Sequence, residues 1–196
     1  MATSKHIRYA GKPTTRYSYN HFDVVCPKCH EQATVSGKWE NTNLLCPHCG
    51  FSEKLSERTR YNLHVKRWCD ECGKRIEVCI PGKKEKTTSI AIPCPHCGTE
   101  RSYRPRNEAY SLTYKNKSVG DPCFNLPLWY QSTVKGNLFW AWNRKHLVDI
   151  RDYVISTLRE RRTTYYTTMV EKLPSFIKKA GNREILLKNI DRILKK

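Results

Sequence analysis

The sequence predicts small metal-bound β units followed by an α+β C-terminal region, and three observations carry that prediction. Four C-x-x-C pairs fall within 72 residues, at Cys26/Cys29, Cys46/Cys49, Cys69/Cys72 and Cys94/Cys97. Hydrophobic residues make up only 38% of the 196-residue chain, too few for one large core along its whole length. Beyond residue 122 the character changes to apolar aromatic runs followed by helical periodicity.

Taken in order, residues 1–22 form a basic arm with Lys5, Arg8, Lys12 and Arg16, three tyrosines and no acid. They show neither a helical nor a strand period, which predicts a flexible segment able to order on a polyanion. Residues 23–65 and 66–122 each contain one unit of an internal repeat, with a linker at 51–65 and a polar, basic loop at 99–122. Each unit opens on an extended apolar approach to a C-x-x-C pair and closes on C-P-H-C-G. In the second unit Ile76, Val78 and Ile80 alternate with polar positions. Pro81-Gly82 then begins a turn, and Ile90 and Ile92 resume the alternation, which reads as a hairpin. The first unit has a shorter version in Thr34, Val35, Trp39, Leu44 and Leu45.

Residues 123–196 read as an aromatic hairpin plus three to four helices. Runs at 126–130 and 138–142 flank Lys135-Gly136-Asn137 as the arms of the hairpin. Asn143 is placed to cap a helix over 144–161 with Leu147, Ile150, Val154 and Leu158 on one stripe. Another helix spans 164–173, and Pro174 can start the next. Gly181 closes that helix, Asn182 caps the last, and Ile185, Leu186, Ile190, Ile193 and Leu194 form its apolar face.

The paired cysteines carry the chemistry. Zinc takes four thiolates tetrahedrally at about 2.3 Å, and two residues between paired cysteines let one turn aim both sulfurs at one ion. Glycine after the second cysteine lets backbone N–H groups approach the sulfurs. Ten cysteines without the apolar run of an export signal point to a reducing compartment, the cytoplasm, and to ligation rather than disulfides. Two structural Zn2+ ions are therefore expected. Sharing between successive pairs keeps loop-closure entropy low, with an interleaved arrangement as the competitor. His48 and His96 are expected as exposed knuckle residues, because each unit already has four thiolates. Cys79 is expected as a small buried residue in preference to a third-site ligand, and Cys123 lacks a neighbouring activator.

The two units resemble zinc ribbons with rubredoxin-type C-P-x-C-G knuckles, as in transcription-factor ribbons, RNA polymerase subunits and several ribosomal proteins. The whole chain is also similar to uncharacterised bacterial proteins in which transcription-factor-type ribbons precede an aromatic hairpin and a C-terminal region of this kind. That resemblance implies a bacterial cytoplasmic protein and supplies no activity. His30 stands where the first knuckle would have glycine, and Asp70 where the third would have proline.

The formal net charge is +18, which eight thiolates and two divalent ions lower to about +14. Such a surface favours nucleic acid as partner. Lys83, Lys84 and Lys86 at the second unit's hairpin tip form one candidate contact cluster. Arg101, Arg104, Arg106, Lys115 and Lys117, interleaved with Tyr103, Tyr110 and Tyr114, form another. A protein-interaction adaptor, including an immunity or antitoxin-type inhibitor of a partner protein, is the alternative. No membrane span and no small-molecule substrate are expected.

Catalytic residues are not expected. Four thiolates close the metal to water. Asp149 and Asp152, three apart, read as a solvated helix face, and no phosphate-cradling glycine loop occurs.

Overall fold

The computed structural model describes residues 8–10, 21–38, 41–156, 158–160 and 169–196. After β1 (Arg8–Ala10), the first unit is a four-stranded antiparallel sheet in chain order. It contains β2 (His21–Val25), β3 (Gln32–Ser36), β4 (Asn43–Leu45) and β5 (Ser52–Lys54). Alternation places Val24, Ala33, Val35 and Leu44 on the buried face.

A 3-10 turn at Leu55–Arg58 leads directly into β6 (Thr59–Trp68), the longest strand, so most of the expected linker is regular structure. The second unit divides between two sheets. β6 is the central strand of three, between β7 (Arg75–Lys83) and the later β10 (Arg106–Ser111). The other sheet pairs β8 (Ile90–Pro93) with β9 (Glu100–Tyr103). The residues expected to form one hairpin, around 76–80 and 90–92, therefore lie in different sheets. The hairpin turns are the C-x-x-C segments themselves, since each pair closes a tight loop that sends the chain back beside its own approach strand.

Pro81-Gly82 does not turn the chain. β6 pairs Tyr61 with Lys83 but Leu63 with Ile80, so β7 carries one extra residue there. Proline has no N–H to leave unpaired at such a bulge, and Gly82 supplies the left-handed backbone, φ 77°. Much of the expected basic loop at 99–122 is likewise strand, in β9 and β10.

The C-terminal part opens with β11 (Tyr130–Val134) and β12 (Asn137–Ala141), joined by Lys135-Gly136, both at positive φ as a type I′ turn requires. Then come α1 (Arg144–Ile155), β13 (Leu158–Glu160), α2 (Met169–Lys172), α3 (Ser175–Lys178) and α4 (Arg183–Ile193). Strand β13 pairs in parallel with β1. The helix expected over 144–161 thus stops at Ile155, where the extended Ser156 caps it, and Leu158 leaves the stripe for a strand. Asp149 is 6% exposed and lies on the buried face of α1, not on the solvated one. Asn182 makes no side-chain cap; its amide donates to the Phe176 carbonyl at 2.8 Å and its oxygen accepts from Lys135 Nζ at 3.0 Å. Trp39, residues 164–168 of the helix expected over 164–173 and the arm tyrosines Tyr17 and Tyr19 lie outside the described residues.

Among the described residues two cores result, with a small third. One joins the β11–β12 hairpin to α1 and α4 through Phe139, Leu147, Ile150, Leu186, Ile190 and Ile193. Another belongs to the first unit but is completed by Phe124, Leu126 and Leu128 from far along the chain. Main-chain bonds seal that joint: Val25 N–H donates to the Pro127 carbonyl, Trp129 N–H to that of Asp23, and Asp23 N–H to that of Trp142, at 2.7–2.8 Å. The second unit's core is small, Cys69, Ile76 and Cys94 with Cys72, Val78 and Tyr103 against it. Among the described residues no helix is long and apolar enough to cross a membrane.

Candidate functional site

Each C-x-x-C segment is built the same way. The first cysteine's N–H donates to a carbonyl five residues on, at 2.8–2.9 Å, and its own carbonyl accepts from the residue four on, at 2.8–3.1 Å. That last residue is left-handed in every case: His30 φ 62°, Gly50 φ 70°, Gly73 φ 65° and Gly98 φ 77°. A Cβ on any of the three glycines would meet nothing within 4 Å, so the requirement is backbone conformation and not room beside the sulfurs. His30 adopts that conformation with a side chain, at a cost of about 1–2 kcal/mol.

The turns converge in sequence order. Cys26, Cys29, Cys46 and Cys49 form one group of four sulfurs, and Cys69, Cys72, Cys94 and Cys97 the other, each within 4.8 Å. Sulfur–sulfur distances are 3.7 Å (Cys26–Cys49) and 3.5 Å (Cys29–Cys46) in the first. They are 3.7 Å (Cys69–Cys97) and 3.8 Å (Cys72–Cys94) in the second. Disulfides would need about 2.05 Å. A tetrahedral ion with sulfurs at about 2.3 Å has edges near 3.8 Å, so both groups fit one four-thiolate metal.

Charge makes the same demand. The Glu31 N–H holds the Cys29 thiol down, but burial and the three other sulfurs push it up to about 12. Burial raises Cys46, yet the Cys49 and His48 N–H groups and neighbouring sulfurs draw it down to about 6. In the second group the Lys74 N–H lowers Cys72, while burial and its three sulfur neighbours take it up to about 11. Cys97, held by the Thr99 N–H and hydroxyl, falls to about 6. Four sulfurs this close ionise together only around a cation. Bound there, the ion supplies rigidity, since four protein ligands leave no open position. His48 and His96 are exposed, as expected. Cys79 is exposed instead of buried, because its position on β7 faces away from Ile76, Val78 and Ile80 toward solvent.

Beside the second group lies a cleft of ≈ 480 Å³ lined by His64, Val65, Lys66, Arg67, Arg104, Pro105, Arg106 and Glu108. It forms where β10 begins opposite His64, leaving the β6 edge beyond that residue without a strand partner on that side, and the 104–105 link from β9 lines it. Four of its side chains are cationic. The His64 ring lies 2.9 Å from the Glu108 carboxylate, and Lys66 pairs with Glu77 of β7 at 2.6 Å.

The expected contact residues separate. Arg104 and Arg106 line the cleft. Arg101, on β9, is held by Glu71 and Asp70 beside the third knuckle, and these carboxylates raise its pKa above the ordinary arginine value. Tyr103 packs its ring into the second unit's core, where burial raises its pKa. Lys83 pairs with Tyr61 away from the cleft, and Lys84 and Lys86 lie on the loop from β7 to β8, with Lys86 Nζ 5.9 Å from the Tyr61 ring centroid. Lys115 and Lys117 are exposed on the segment returning to the first unit, where Tyr114 donates to Glu53 at 2.7 Å beneath the Arg58 guanidinium.

Sequence reasoning missed His64, Lys66 and Arg67 as members of the cleft. Their signal was the alternation of Tyr61, Leu63 and Val65 through a stretch taken for linker. No family model, no curated protein and no solved structure matches this chain.

Proposed function

We propose that this is a non-enzymatic zinc-ribbon protein that binds nucleic acid, with two structural Zn2+ ions holding the surface that makes the contact. The single observation carrying the reading is the convergence of Lys66, Arg67, Arg104 and Arg106 on one cleft in a chain of formal charge +18. Among the described residues Arg67, Arg104 and Arg106 form no salt bridge, and all three are exposed, so their charge is available to a ligand. Clustered unpaired guanidinium groups suit phosphate, which accepts their fork in pairs. Zinc is favoured for the four-sulfur sites because tetrahedral thiolate sets select it, iron being the other metal of that geometry.

Filter binding over a salt series tests the reading. Three cationic contacts, from Arg67, Arg104 and Arg106, predict affinity falling with salt at a log–log slope of roughly −2 to −3. Arg104→Glu with Arg106→Glu should abolish retention at about 50 mM salt, where such contacts are little screened. Retention unchanged by that pair would remove the cleft from consideration, and no retention of any nucleic acid by the wild-type protein would leave the protein-interaction adaptor.

A further inference from the structure

We infer that the ligand is single-stranded nucleic acid laid along the open face of the β10-β6-β7 sheet, with an unpaired base stacked on Trp68. This rests on the nucleic-acid reading and narrows it. Residues paired directly across an antiparallel sheet share a face. Trp68, Lys66 and His64 of β6 therefore share theirs with Arg75, Glu77 and Cys79 of β7 and with Arg106 and Glu108 of β10. The opposite face carries Leu63, Val65 and Ile76, all buried. The first face is open to solvent, and Trp68 is 68% exposed on it.

Both of its carboxylates already have partners. Glu77 lies between Lys66 at 2.6 Å and Arg75 at 3.2 Å, and Glu108 is bound to His64. Lys66, Arg75 and Arg106 outnumber Glu77 and Glu108, which leaves a positive surface running from the cleft to an indole at its end.

Strand rise puts Trp68 roughly 13 Å along from the row of His64 and Arg106. That is a span of about four stacked nucleotides at 3.4 Å each. A duplex presents phosphates and base edges, and its base faces are already stacked on one another. It would use the cations and leave the indole idle. Only an unpaired base offers a face to Trp68 while its backbone phosphates reach Arg104 and Arg106.

The experiment titrates the metal-loaded full chain with a 12-nucleotide oligothymidylate and with a duplex of equal length at low salt, following tryptophan fluorescence and affinity. The expected result is quenching by the single strand, a preference for it over the duplex, and an affinity loss of roughly 10-fold or more in Trp68→Ala. Trp68→Phe, which keeps an aromatic face, should recover much of that loss. Two bound metal ions per chain in both variants show that they fold. If Trp68→Ala binds like wild type, or the duplex binds equally well, while Arg104→Glu with Arg106→Glu abolishes binding, the inference is overturned and the cleft reading stands. If neither nucleic acid binds the wild-type protein, both fail, and Trp68 belongs to a protein contact.

Discussion

His146 occupies the joint between the first unit and α1. Its ring lies beside Trp140 and Trp142, at centroid distances of 6.1 and 6.5 Å, and its Nδ1 accepts from the Trp142 N–H at 3.2 Å. Burial draws its pKa down to about 4 against the pull of Asp149. A folded-state value below the unfolded one, near 6.5, means that the unfolded chain binds the extra proton first. The neutral ring's contribution is complete above pH 6.5 and is lost as pH falls toward 4, by on the order of 2–3 kcal/mol. His146→Asn, which keeps an acceptor for the Trp142 N–H and does not titrate, should flatten that part of the curve. Acid release of metal acts on both proteins alike, so denaturation at matched pH isolates the difference. Parallel curves would show that the ring does not titrate in this window.

At the level of elements, the start of α1 does two jobs. Asn143 Oδ1 accepts from the His146 N–H at 2.9 Å as an N-cap, and its amide donates to the His21 carbonyl of β2 at 2.8 Å. Asp23 adds a carboxylate oxygen 3.2 Å from the Arg144 N–H. Asn143→Ala should cost about 1–2 kcal/mol in denaturant unfolding. Asn143→Ser, which retains a capping oxygen but not the reach to β2, should recover only part of it. The cap was legible in the sequence because its partners are three residues away. So were the C-x-x-C turns and the order in which they share metal, since local spacing dictates both. Pro81-Gly82 and the 59–64 segment were misread for the opposite reason. Proline-glycine forms a turn in isolation and a bulge only beside β6, and β6 is a central strand only because β10 returns some forty residues later. Nor could local pattern tell that Trp68, preceding a metal ligand, faces water.

For the molecule as a whole, the two metal sites are unequal. The first unit shares its core with Phe124, Leu126 and Leu128 and is bonded to the backbone at 127, 129 and 142. The second is joined to the rest through β6 and β10, with a small core of its own. Either Cys26→Ser or Cys69→Ser should lower metal content by one ion per chain. Only the first should also depress the melting of the C-terminal part, by on the order of 10 °C, read from near-ultraviolet circular dichroism of Trp140 and Trp142. Equal depressions, or loss of both ions from one substitution, would contradict this division.

That shared core also fixes an order of assembly. Cys49 completes the first ligand set, whereas Phe124, Leu126 and Leu128, which fill the sheet beneath it, come about 80 residues later. At ordinary synthesis rates the nascent unit waits roughly 4–16 s for its own interior. An ion held by Cys26, Cys29, Cys46 and Cys49 in that interval would brace the strands that carry Val24, Val35 and Leu44, so synthesis without metal is expected to leave more of the chain aggregated.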